Sequence, residues 1–237
     1  MTILVTGDIH GEHTIRKFSS RQMQRVLGCL DRGLTKDDYL IIAGDFGLIW
    51  DAQESASERY WLDWLNEKPW TTLFVDGNHE NHERLNNWPV DYWNGGKVHM
   101  ITDSVIHLMR GQVFNLQGRK FFTMGGAASH DIIYRVPRLS WWSEEIPSQE
   151  ERDEAVCNLK KHDWKVDYVI THDAPTHIAE KLIYTPDREP DEFTDWLENI
   201  AENLEFNQWF FGHHHQDIEL EDGKYQAMYS DIGVIWE

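Results

Sequence analysis

The feature that most constrains this chain is a set of five short apolar runs, each stopping abruptly at small or polar residues: "TILVTGDIHG" (2–11), "YLIIAGDFG" (39–47), "TLFVDGNHE" (72–80), "YVITHDAP" (168–175) and "WFFGHHH" (209–215). Short runs rich in Ile, Val and Phe, bounded by turn signals, suit strands buried on both faces. Every run ends in residues able to bind a metal: Asp8 and His10, Asp45, Asn78 and His79, His172, then His213 and His215. In open α/β sheets, ligands collect beyond the carboxyl ends of strands, so residues far apart in sequence are expected to converge. The three consecutive histidines are no terminal tag, because they lie inside the chain between strand-like segments.

Helical patterns separate the runs. Ile15, Phe18, Met23, Val26, Leu27 and Leu30 mark one face; Tyr60, Trp61, Trp64 and Leu65 mark a second, expected to be core; Phe193, Trp196, Leu197, Ile200 and Leu204 mark a third. "SQEE" after Pro147 reads as a capping box that starts a helix at Ser148. This alternation implies βαβ units at both ends of the chain. Between Lys97 and Met124 four strand-like segments with short connections predict hairpins or a meander, and Asp222-Gly223 predicts another hairpin. We expect a single α/β domain with mixed sheets over residues 1–237, with 127–147 as a long irregular excursion over the site.

Composition narrows the function. A hydrophobic content of 41% with 12 Trp, 8 Tyr and 10 Phe supports a large core. The 41 acidic and 22 basic side chains give a formal charge of −19, which disfavours long nucleic acids while leaving room for a local basic groove. No apolar run approaches the roughly 18 residues of a membrane span, and the start of the chain turns polar early, so a cytoplasmic protein is expected. Cys29 and Cys157 stand alone in helical patterns, which predicts core packing for both.

Carboxylates, imidazoles and one carboxamide form a borderline-hard donor set suited to Mn, Fe or Zn, and the set exceeds the four ligands of one zinc site, so two ions are expected. Alternation along an extended chain would point Asp8 and His10 the same way, and likewise His213 and His215, with His214 turned away. Gly7, Gly44, Gly77 and Gly212 would let the backbone turn and give an ion room.

The ordered blocks "GDIHG", "GD", "GNHE", "TH" and "GHHH" resemble the calcineurin-like metallophosphoesterase superfamily. The resemblance implies a four-layer α/β/β/α sandwich and a dinuclear centre. Asp8, His10, Asp45 and His215 would hold one ion; Asp45 would bridge to a second, completed by Asn78, His172 and His213. The implied chemistry is phosphoester hydrolysis by a hydroxide held between the ions. His79 would face the substrate as the proton donor or charge stabiliser. Two roles stand open for Glu80: orienting His79 or capping the turn.

Protein phosphatases of this superfamily carry GDxVDRG and an arginine before GNHE, where this chain has "GDFGLIWD" and Asp76. Their absence shifts the expected substrate toward a phosphodiester or nucleotide-like small molecule, with a phosphomonoester or a non-catalytic metal-binding module as alternatives. Arg135, in "GGAASHDIIYR", is the replacement phosphate-binding candidate. Trp141 and Trp142 are read as burying the excursion, with base stacking as the alternative. The remaining histidines, His130 and His214 among them, are read as surface or packing residues, with substrate contact as the alternative for those two.

Overall fold

The protein is described here by a computed structural model covering residues 2–29, 32–182 and 191–235. Leu30 and the side chain of Cys29 lie outside the described residues.

The first sheet grows from β1 (Ile3–Thr6), β2 (Tyr39–Ala43) and β3 (Thr71–Val75), all parallel. β4 (Val90–Trp93), β5 (Gly96–Thr102) and β6 (Val105–Leu108) extend it, β6 lying parallel to β3 and antiparallel to β5. The second sheet contains β7 (Gln112–Leu116), β8 (Arg119–Met124), β9 (Tyr168–Thr171), β10 (Gln208–Phe211), β11 (Ile218–Leu220) and β12 (Tyr225–Ala227), in the order β11-β12-β10-β9-β8-β7. β13 (Gly233–Ile235) returns to pair antiparallel with β1.

The strands lack polar alternation because both faces are covered. Along the first sheet, Ile3, Val5, Ile41 and Leu73 meet Phe114, Phe121, Ile170 and Phe210 of the second. Leu4, Leu40, Ile42 and Phe74 point the other way, onto α1 (Ser20–Val26), α2 (Ala56–Asn66) and α3 (His82–Asn86). The second sheet's outer face takes α4 (Gln149–Lys161), α5 (Thr176–Leu182) and α6 (Glu192–Asn203), through Leu159, Ile178 and Leu197 among others. The result is the expected four-layer sandwich of helices, two mixed sheets and helices. Each fully buried Leu, Ile or Phe contributes about 1.5–3 kcal/mol, so the layers fix the strand ends firmly.

Several local expectations hold. Ser148 caps α4 with a reciprocal box to Glu151, and α6 buries Phe193, Leu197 and Ile200. The hairpins at Gln117-Gly118 and Asp222-Gly223 form.

Others need correction. The predicted meander is divided: β5 and β6 pair in the first sheet, whereas β7 and β8 pair in the second. The intervening residues 109–111 carry the chain between sheets, and three-residue connections look alike in sequence whether they turn back or cross over. β4 went unread, although Asn94 and Gly95, at φ 48° and 99°, form a tight turn of the Asn-Gly kind. The first helical face is broken into a 3₁₀ turn (Ile15–Phe18), α1 and a second 3₁₀ turn. On α2 the core is made by Leu62 and Leu65; Trp61 and Trp64 are half-buried and Tyr60 is 60% exposed. Cys157 is exposed on α4 rather than packed.

Among the described residues, no helix is long and apolar enough to cross a membrane.

Candidate metal centre

The five strand ends meet at one edge of the sandwich, where the two sheets face each other. Asp8 and His10 follow β1, Asp45 follows β2, Asn78 and His79 follow β3, His172 follows β9, and His213 and His215 follow β10. The mechanism of convergence differs from strand alternation. His10, Asp45, His213 and His215 all adopt left-handed backbone, with φ of 45°, 48°, 62° and 51°. Such residues cost energy outside glycine and persist where surrounding packing determines them, a pattern concentrated at functional sites.

The glycines serve close approach more than turning. A Cβ on Gly77 would lie 2.1 Å from Asp45 Oδ1, and one on Gly44, at φ 88°, would lie 2.0 Å from His172 Nδ1. Only at Gly44, among the four expected turn glycines, does the backbone require positive φ.

Asp8, His10, Asp45 and His215 each offer a ligand atom within 4.8 Å of the others. The Nε2 atoms of His10 and His215 approach to 2.9 Å, and His10 Nδ1 lies 3.5 Å from Asp45 Oδ2. A second group adjoins it. Asn78 Oδ1 is 3.1 Å from both His172 Nε2 and His213 Nδ1, and His172 Nε2 is 3.2 Å from Asp45 Oδ1. The two Asp45 oxygens therefore face different donor groups. The backbone N–H of His79 donates to Asp45 Oδ1 at 2.8 Å, and that of His213 donates to the Asp8 carboxylate at 3.1 Å.

Asp8, Asp45 and His172 are essentially removed from solvent. Burial pushes the Asp8 carboxyl up to about 7, with His172 opposing and Asp45 adding to the rise. Burial also pushes His10 down to about 4 against the pull of Asp45. At His172 burial is outweighed by Asp45 and Asp8, which lift it to about 10. Two buried carboxylates surrounded by imidazole nitrogens form an environment that a cation satisfies, since buried charges are paired or bind metal. The donor set thus fits borderline-hard ions.

His79 stands beside this centre, its ring 4.8 Å from that of His10 and stacked at 5.9 Å on Trp50. Burial lowers its basicity; Asp45 opposes this and Arg135 adds to it. Arg135 does arrive at the site: its Nη2 lies 2.9 Å from His79 Nε2, while its Nε donates to Asp131 Oδ1. A cleft of about 420 Å³ opens next to these groups, lined by His10, Gly11, Trp50, Asp51, Ser57 and His79 among others.

Other expectations resolve individually. Glu80 is the turn cap, its carboxylate accepting from the N–H groups of Phe46 and Gly47. His214 turns away to Asp173, Nε2 to Oδ1 at 3.1 Å. His130 reaches His213, Nε2 to Nε2 at 3.2 Å. Trp142 is buried at the edge of Trp50, as the packing reading required, while Trp141 is half-buried.

Trp50, Lys17 and Arg110 are among the participants that escaped sequence reasoning. Trp50 carried no signal beyond its place after a strand-end loop. Lys17 places its ammonium on the carbonyls of Gly7, Asp8 and Tyr229, and burial lowers it to about 8. Arg110 pairs with buried Asp76, the residue standing where protein phosphatases have arginine.

The architecture and this edge form a candidate metal centre at the strand ends of a layered α/β sandwich. A sequence model of the calcineurin-like phosphoesterase family matches residues 1–217, and the chain belongs to that family of phosphoester hydrolases. Among individual proteins, it is 24% identical to a lariat debranching enzyme from Drosophila pseudoobscura pseudoobscura and 25% identical to one from Drosophila melanogaster. Each alignment covers 91% of this chain but only 42% and 43% of the relatives, so the chain spans less than half of their length. The phosphopantetheinyl hydrolase of Mycobacterium tuberculosis aligns in structure over 97% of this chain and 90% of its own, at 16% identity and a TM-score of 0.48.

Proposed function

We propose that the chain hydrolyses phosphoesters with two metal ions, Mn, Fe or Zn, and that it favours phosphodiester or nucleotide-like substrates over monoesters. Asp8, His10, Asp45 and His215 hold one ion; Asp45, Asn78, His172 and His213 hold the other. The observation that carries this reading is the Asp45 carboxylate, whose Oδ1 faces His172 while Oδ2 faces His10. When bound, the ions supply charge neutralisation on the phosphoryl oxygens and Lewis-acid activation of the attacking water.

The chain's own residues supply orientation and protons. In the resting arrangement Arg135 donates to His79 Nε2, so a neutral His79 carries its proton on Nδ1. A phosphoryl group competing for the guanidinium draws Arg135 onto its oxygens, in the bidentate manner arginine favours. Nε2 is then free to take up a proton and deliver it to the leaving oxygen. Trp50 walls one side of His79 and limits water there.

Two features support the diester preference: the missing phosphatase arginines, and the likeness to lariat debranching enzymes. Metal-stripped protein reloaded with Mn should cleave bis(p-nitrophenyl) phosphate faster than p-nitrophenyl phosphate. The opposite ratio removes the preference. Bound Mn without hydrolysis of either compound would leave a metal-binding module instead of an enzyme.

A further inference from the structure

The excursion is tied to the centre at its root, by contacts that the proposed ligand set does not include. Asn78 can present either end of its amide to its surroundings, and the ends are nearly identical in shape. Its Nδ2 lies 3.2 Å from Ser129 Oγ, leaving Oδ1 toward His172 and His213. Ser129 is held in turn by Glu145: the serine hydroxyl donates to Oε2 at 2.6 Å and its backbone N–H donates to Oε1 at 2.8 Å. Asn78, Ser129 and Glu145 are all buried, at 4%, 5% and 1% exposure, so water does not substitute for these contacts. Glu145 is placed from behind by Arg110, whose guanidinium donates to the carbonyls of Glu144 and Glu145 while paired with Asp76.

The polarity of this chain of bonds runs one way. A carboxylate only accepts, so it draws the Ser129 hydroxyl proton toward itself. The serine oxygen is then the acceptor offered to Asn78, which must answer with its NH₂. The amide oxygen is thereby turned to the side where a cation needs a lone pair.

We propose that Ser129 and Glu145 are positioning residues that fix the amide of Asn78 as an oxygen donor for the second ion. This inference rests on the reading of Asn78 as a ligand. It also gives the excursion a role at both its root and its middle: Ser129 and Glu145 orient Asn78, and Arg135 reaches His79. Outer contacts of this kind typically change metal affinity about 10- to 100-fold.

The test is Mn²⁺ titration of metal-stripped protein by calorimetry, with melting curves as the control for folding. Ser129→Ala should weaken the second Mn equivalent about 10- to 100-fold and leave the first unchanged, whereas Ser129→Thr, which keeps the hydroxyl, should restore it. The decisive variant is Asn78→Asp, whose two oxygens make orientation irrelevant. In that background Ser129→Ala should have no further effect on the second equivalent. Equal loss in both backgrounds, or no loss in the wild-type background, overturns the positioning role while two-ion binding by the wild type leaves the proposed centre standing. Wild-type protein that takes up fewer than two Mn overturns both.

Discussion

The strand-end loops and the excursion above them solve opposite problems. Below, Asp8, Asp45 and His172 are at most 2% exposed, and left-handed backbone at His10, Asp45, His213 and His215 completes the centre between the two sheets. Above, Ile133 and Tyr134 are each 83% exposed, while Ser129, His130 and Arg135 of the same segment touch residues of the centre. A buried floor can store backbone strain of about 1–3 kcal/mol per residue because the layers hold it. A surface segment with few buried contacts opens more readily, which suits the part that must admit substrate. The difference teaches that, under the proposed function, the two parts share the work: the rigid floor holds charge, and the exposed tip of the excursion is the part free to meet what enters.

That separation can be broken from the floor first. Asp45→Asn should reduce hydrolysis by roughly a thousandfold, the scale of a principal electrostatic group, and metal content should fall with it. Chelation of the wild type should match this loss and Mn should reverse it. His79→Ala should cost about 100-fold or more in rate, as for loss of an acid catalyst, with metal content preserved. Metal lost together with activity would make His79 part of the donor set.

Smaller effects sharpen the contrast. Gly77→Ala would press a methyl group onto Asp45, and a loss of about 1–3 kcal/mol from overpacking should appear as a lower melting temperature. His214→Ala should leave both Mn equivalents in place and cost about 1–2 kcal/mol through its lost bond to buried Asp173. At the tip, Ile133→Ser and Tyr134→Ser should each change stability by less than about 0.5 kcal/mol and leave Mn binding untouched. A change in Mn affinity from either would show the roof and floor to be one unit.

Much of the floor was legible because its signal is local. An apolar run and a polar ligand recur at each strand end, with a glycine between them at four of the five, and "SQEE" and Asp222-Gly223 announce a helix start and a hairpin through short-range geometry. The unread parts depend on distant partners. Nothing near Arg110 shows that it will neutralise Asp76, 34 residues earlier. Nothing near Ser129 shows that Asn78, 51 residues away, will lie against it. Cys157 failed the reverse way, because its helix presents that position to solvent despite an apolar neighbourhood.

The sequence by itself determined which residues end the strands, the donor types available there, and the layered α/β class, since these follow from hydrophobic run length and side-chain chemistry. Tertiary structure alone decided how the donors meet. The two sheets had to pack face to face before left-handed turns could aim His10 and His215 at one point, Asp45 could divide its oxygens between two groups, and the Ser129–Glu145 contact could turn Asn78. Orientation of a side chain at a shared centre is set by the packing around it, and that packing is distributed over the whole chain.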